Sequence, residues 1–181
     1  VTMPILHGVA ASPFVRKVRV VLAEKGIAYR SEPVMPIGVS AEFKRKSPLG
    51  KIPVWEDESG YTLPDSSCII AYLERIHPSP ALYPADAKEF GRALFYEEYA
   101  DTKLMEVISP VFFERFVKKH VLKQPTDEAR VQKALGEMIP PVFDWLEAEI
   151  GERPWLVGGH FSVADVAAGS FPILATVSGA G

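Results

Sequence analysis

The stretch Pro4-Ile5-Leu6-His7-Gly8-Val9-Ala10-Ala11-Ser12-Pro13-Phe14-Val15-Arg16-Lys17-Val18 decides the fold of the first part of the chain. It reads as a short strand that delivers a hydroxyl to the first turn of a helix. Serine is a favoured N-cap, Pro13 fits the first helical position where no N–H is needed, and Phe14, Val15, Val18, Val21 and Leu22 recur at helical spacing. Ser12 is thereby set at the positive end of a helix dipole, where capping alone would already account for it. The helix runs to Glu24 or Lys25, with Gly26 as its left-handed stop, and Tyr29 to Val34 reads as a second strand. A right-handed crossover joining parallel strands makes this part α/β. The basic segment from Ser40 to Ser47, with Phe43 as its aromatic, reads as an irregular helical turn over the sheet.

Ile52-Pro53-Val54-Trp55, then Asp57-Glu58-Ser59-Gly60 and Tyr61-Thr62-Leu63, reads as an antiparallel hairpin. Pro53 belongs at an edge, a bulge or a strand start, and a cis bond there is possible though rare for X-Pro in general. A free edge beside it would leave the backbone of Ile52 open to an extended peptide ligand. Asp65 or Ser66 caps the next helix, whose Ile69, Ile70, Leu73 and Ile76 share a face. Beyond capping, the pair suits an α-amino-acid moiety. Asp65 attracts the ammonium, while the Ser66 hydroxyl and exposed N–H groups bind the carboxylate.

The proline-dense run from His77 to Pro84 marks a change of architecture. We expect domains at 1–78 and 88–181 with 79–87 as linker. From Asp86 to Lys119 the pattern is helical and aromatic-rich, with Pro110 bending or breaking the helix. Phe112, Phe113 and Phe116 are core by default and otherwise candidates for a pocket wall. Thr126 reads as the N-cap of a helix toward Ile150, stopped by Gly151 and either kinked or divided at Pro140-Pro141. Trp155-Leu156-Val157-Gly158-Gly159 is a packed loop. Ser162 and Asp165 then form a capping box, with Phe161 and Val166 as its staple, and a buried helix of small residues follows.

The 181 residues are 48% hydrophobic and 24% charged, with a net charge of -3, an ordinary globular composition. No basic run interleaved with aromatics suggests nucleic acid, and no apolar run approaches the roughly 20 residues of a membrane span. One cysteine, Cys68, forms no internal disulfide or Cys-x-x-Cys pair, and the four histidines lack ligand spacing, so no metal is expected. With no signal-like N-terminus, the expected location is cytoplasmic.

Four motifs in order, Ser12-Pro13 after the first strand, Leu49-Gly50-Lys51-Ile52-Pro53-Val54, Asp65-Ser66 followed by Ile69 and Tyr72-Leu73, and Phe161-Ser162-Val163-Ala164-Asp165, resemble the cytosolic glutathione transferases of the serine, bacterial-like type. The resemblance covers essentially the whole chain. It implies a thioredoxin-like N-terminal domain followed by an all-helical C-terminal domain, with glutathione as co-substrate. It further implies Ser12 as donor to the glutathione sulfur, Ile52 as backbone partner of the cysteinyl unit and Pro53 as a cis proline. Asp65 and Ser66 would hold the γ-glutamyl group and Lys51 the glycyl carboxylate. Asp101 resembles a carboxylate that reaches the glutathione amine across a homodimer interface. A hydrophobic electrophile would lie beside Ser12 against Phe14 and the helix carrying Phe112, Phe113 and Phe116.

Two departures bear on activity. The first helical turn has no nucleophilic cysteine, which disfavours thiol transfer, and the sequence ends sooner than family members do, so the helical domain is expected to lack its C-terminal end, either because the protein is short or because its tail lies beyond this sequence. The activity implied is conjugation of the glutathione thiolate to small hydrophobic electrophiles, a detoxification chemistry. A glutathione-dependent isomerase or peroxidase, and a non-catalytic interaction protein on the same scaffold, are the alternatives.

Overall fold

The structure is a computed structural model, and it describes residues 3–172. The chain divides between Leu82 and Tyr83 into two units. In the first, β1 (Ile5–His7), α1 (Pro13–Glu24) and β2 (Arg30–Glu32) form the crossover unit, with β1 and β2 parallel. After the six-residue α2 (Ala41–Lys46), β3 (Val54–Glu56) and β4 (Thr62–Pro64) form the hairpin, and α3 (Ser66–Ile76) follows. The sheet order is β2-β1-β3-β4. The apolar stripes recognised in the sequence are the core: Val18, Val21 and Leu22 of α1 and Ile69, Ile70 and Leu73 of α3 are fully buried, as is Leu6 of β1. Phe43 of α2 packs edge-on against His7, on the face of β1 opposite Leu6.

Where the first unit stops is a matter of hydrogen bonds. The side chain of Lys25, just past α1, is fully buried and paired with Glu74 of α3 at 2.7 Å. Its ammonium also donates to the carbonyls of His77 and Pro80 at 2.7 and 2.8 Å. Glu74 in turn accepts from the Leu82 N–H at 3.0 Å. The segment after α3 is therefore held to the first unit as far as Leu82, and the Ser79–Pro80 peptide within it is cis.

The second unit is helical. A helical run begins at α4 (Ala87–Tyr99), widens to π spacing over Ala100–Leu104, returns to α geometry in α5 (Met105–Phe112) and widens again over Phe113–Leu122. Pro110 lies inside α5 and does not end the run. Then come α6 (Glu128–Lys133), a π-spaced Ala134–Met138, α7 (Ile139–Ile150) and α8 (Val163–Ser170). Pro140 and Pro141 fall in the first turn of α7, directly after the π-spaced Ala134–Met138. Val111, Val131 and Ala134 form a buried cluster with Leu135, Met138 and Ile139 around it.

One cap differs from the sequence expectation. Asp127, not Thr126, caps α6, accepting from the Arg130 N–H at 3.1 Å. The cause is Glu114, whose side chain is fully buried and accepts from Lys118, Arg130 and the Asp127 N–H. That cluster fixes the approach to α6, and the Thr126 hydroxyl is used instead to donate to the Glu114 carbonyl at 3.1 Å. The capping box of α8 is as the sequence reads. The Ser162 N–H donates to Asp165 at 2.9 Å, and Ser162 Oγ accepts from the Ala164 N–H at 3.3 Å. Asp165 also accepts from the Leu156 N–H at 2.8 Å, tying the preceding loop to the helix, and Trp155 meets Phe161 edge-on.

Candidate functional site

Strand register brings three sequence motifs to one end of the sheet. β3 runs antiparallel to β1 with His7 opposite Val54, and β4 antiparallel to β3 with Val54 opposite Pro64. The end of β1, the start of β3 and the end of β4 are thus adjacent. The loop carrying Ser12, the residues Ile52 and Pro53, and the Asp65–Ser66 turn all leave the sheet there. Gly8 shows how closely the first two approach. A Cβ on Gly8 would lie 2.5 Å from Val15 Cγ2 and 3.3 Å from Ile52 Cβ.

Ser12 is positioned by its backbone. Its N–H donates to the Val9 carbonyl at 3.1 Å and its carbonyl accepts from the Arg16 N–H at 2.9 Å. The side chain is an imperfect cap, because Oγ accepts from the Val15 N–H at 3.4 Å, beyond the ordinary N–H···O range. Among the described residues its hydroxyl proton has no acceptor. The O–H at the head of α1 can therefore be donated outward, beside the exposed amides and positive dipole of the helix.

Ile52 lies outside the ladder, which ends at Val54. Since β3 is an interior strand, what leaves the Ile52 backbone open is the end of the ladder and not a free sheet edge. The Ile52–Pro53 peptide is cis. The loop before it is closed by one buried hydroxyl: Ser47 Oγ donates to the Lys51 carbonyl at 2.8 Å and accepts from the Lys51 N–H at 3.2 Å. The Lys51 ammonium is exposed and has no ion-pair partner among the described residues.

Asp65 caps α3, and Ser66 is its first residue. Oδ1 of Asp65 accepts from the N–H groups of Ser67 and Cys68 at 3.0 and 3.1 Å, and the residue sits at φ 78°. Ser66 is buried and Asp65 exposed. Behind β1, the His7 ring and Lys46 both meet Oε2 of Glu56, at 2.8 and 2.6 Å. The hydrogen bond from Lys46, and secondarily that with His7, holds the Glu56 carboxyl below its ordinary range.

The remaining candidates are placed less tightly. Phe14 is half-buried on α1. In the second unit, Phe112 and Phe116 stack at 5.1 Å, whereas Phe113 is more exposed and lies under the Arg130 guanidinium at 5.8 Å. Phe113 is thus separated from the other two. Asp101 is half-buried in the π-spaced turn after α4. Sequence reasoning passed over Lys17, which is fully buried and donates to Ser67 Oγ at 3.2 Å. Its signal was a lysine placed between Val15 and Val18 on the apolar side of α1. Among the described residues no helix is long and apolar enough to cross a membrane, and no cluster of His, Cys, Asp and Glu could hold a metal ion.

A parallel β1-α1-β2 unit followed by an antiparallel hairpin and a helix is thioredoxin-like, and here it precedes an all-helical unit. Comparison with known proteins narrows that class. Residues 6–81 match the family model of the glutathione S-transferase N-terminal domain and residues 128–176 that of the C-terminal domain. A glutathione S-transferase of Pseudomonas putida is 37% identical over 161 residues, covering 89% of this chain and 70% of that protein. The chain spans only 48% of another relative, the GST-like protein YibF of Escherichia coli, at 38% identity over 96 residues, 53% of this chain. Among solved structures, a glutathione S-transferase from Rhodospirillum rubrum superposes with a TM-score of 0.92 at 26% identity, covering 98% of this chain and 80% of that one. One from Methylobacterium radiotolerans, in complex with glutathione sulfonate, gives 0.75 at 29% identity over 97% and 80% of the two chains. The chain belongs to the glutathione transferase family.

Proposed function

We propose that the protein binds glutathione at the end of the sheet where Ser12, Ile52 and Asp65 emerge, and conjugates its thiolate to small hydrophobic electrophiles. The observation that carries this reading is the convergence of three unlike groups suited to one extended peptide thiol. Ser12 offers a hydroxyl donor at a helix N-terminus, Ile52 a backbone outside the ladder, and Asp65 a carboxylate beside the first turn of α3. Lys51 reaches the glycyl carboxylate and Ser66 assists Asp65 at the γ-glutamyl end. The complex of the Methylobacterium relative with glutathione sulfonate supports the choice of ligand.

The chemistry asked of Ser12 is modest. A thiol of pKa about 8.5 is mostly protonated at neutral pH, and lowering it by about two units takes roughly 2.7 kcal/mol. A helix N-terminus supplies about 0.3 to 1 kcal/mol, and a hydrogen bond to a charged acceptor about 1.5 to 3. Together they suffice without a general base. Ser12 therefore stabilises the nucleophile and attacks nothing itself, and Phe14 offers apolar surface two residues away.

Calorimetric titration of the full chain with glutathione, followed by its conjugation to a chloronitrobenzene, tests the reading. Binding and turnover are expected, and absence of glutathione binding refutes it. The reading includes a homodimer in which Asp101 serves the partner copy, which sedimentation equilibrium tests.

A further inference from the structure

Lys17 lies on α1 among core residues, and its side chain is removed from solvent altogether. A lysine so placed needs its ammonium bonded, because burial of an unbonded charge is strongly unfavourable. Its Nζ donates to Ser67 Oγ at 3.2 Å. Ser67 is the second residue of α3, and the amide of the same residue donates to Oδ1 of Asp65 at 3.0 Å. One residue is thus gripped twice, by Lys17 through its hydroxyl and by Asp65 through its backbone.

The grip matters because of the conformation it sustains. Asp65 stands at φ 78°, ψ 128°, where residues other than glycine are seldom found. Its carboxylate is held there by the Ser67 and Cys68 amides. With Oδ1 committed to the cap, Oδ2 has no partner among the described residues.

We propose that Lys17 is the positioning residue of the α-amino-acid subsite: from inside the core it fixes Ser67, and through Ser67 the Asp65–Ser66 turn that receives the γ-glutamyl group. This rests on the reading that the site binds glutathione. Lys17 touches no ligand itself. Its effect should fall on recognition of the γ-glutamyl end and leave the chemistry at Ser12 alone.

Steady-state kinetics of the full chain with Lys17→Met and Ser67→Ala test this, the first keeping the buried stem and removing the donor. In Lys17→Met the KM for glutathione should rise about tenfold, the scale of one hydrogen bond involving a charged group. The kcat at saturating glutathione should stay within about twofold. Affinity for cysteinylglycine, which lacks the γ-glutamyl group, should be unchanged. Ser67→Ala should move KM the same way, and the double variant should be no worse than Lys17→Met alone. An unchanged KM, an equal loss for glutathione and cysteinylglycine, or a fall in kcat at constant KM overturns the assignment. If Lys17→Met does not fold, Ser67→Ala decides alone, and an unchanged KM there overturns it. Absence of glutathione binding by the unsubstituted protein overturns the functional reading, and this assignment with it, which is distinct from a variant that binds normally.

Discussion

Ser12→Ala separates two roles that the hydroxyl could have at the head of α1. As a helix cap it accepts from the Val15 N–H at 3.4 Å, a weak bond whose loss should cost only about 0.5 kcal/mol, the low end for N-cap removal. As donor to a bound thiolate it contributes about 1.5 to 3 kcal/mol, which at about 1.36 kcal/mol per unit corresponds to a rise of roughly one to two units in the pKa of bound glutathione when it is removed. The two effects differ in size and appear in different measurements. The urea midpoint of the free protein reads the first, and the thiolate's ultraviolet absorbance, followed against pH with glutathione bound, reads the second. The expected result is a bound thiol titrating about one to two units higher, glutathione binding largely intact, and conjugation near neutral pH slowed by about tenfold or more. An unchanged thiol pKa in Ser12→Ala, together with a stability loss above about 1 kcal/mol, would refute the reasoning and leave Ser12 a cap.

Other substitutions probe the frame around it. Gly8→Ala places a Cβ 2.5 Å from Val15 and 3.3 Å from Ile52 at φ 141°; urea denaturation should show a loss of about 2 to 4 kcal/mol from overpacking and backbone strain, with weaker glutathione binding as Val15 and Ile52 are pushed apart. Glu56 is held below its ordinary pKa of 4.5 by Lys46 and His7, so its pairing stabilises the fold above that pH and the benefit fades as pH falls through the folded-state value. The gap in denaturant midpoint between wild type and Glu56→Gln should therefore be constant above pH 4.5 and close below it. A gap that persists in acid would mean that the glutamine disturbs packing instead. Asp165→Ala removes the acceptor of the Ser162 and Leu156 amides and should lower stability by about 2 to 4 kcal/mol, seen as an earlier thermal transition.

What could be read in the sequence was what depends on near neighbours. Ser12 before Pro13, the apolar stripe of α1, the stop at Gly26 and the box of Ser162 with Asp165 are each fixed within a few residues, and each is found where expected. Groups whose role depends on a distant partner were not legible. Lys17 on α1 and Lys25 just past its end are ordinary charged residues until Ser67, Glu74 and the carbonyls of His77 and Pro80 arrive around them. Thr126 and Asp127 are equally good caps by composition, and buried Glu114, twelve and thirteen residues away, chooses between them. The π-spaced turns leave no mark in a three-and-four periodicity. At the candidate site the residue types were legible, whereas the reason that Ile52 is open, the end of an interior ladder, required the strand order.

The Lys25 clamp bears on how the protein can be divided. A fragment cut after Pro78 would keep the buried ammonium but lose the Pro80 carbonyl, and it would strip Glu74 of the Leu82 amide. A fragment carried to Leu82 keeps Lys25, Glu74, the His77 and Pro80 carbonyls and the Leu82 amide together. Limited digestion should therefore spare the peptide bonds between Ser79 and Leu82 in spite of their proline-rich, linker-like composition. The module that could be excised, exchanged between relatives or expressed alone is one whose last residues look, in the sequence, like the start of a tether.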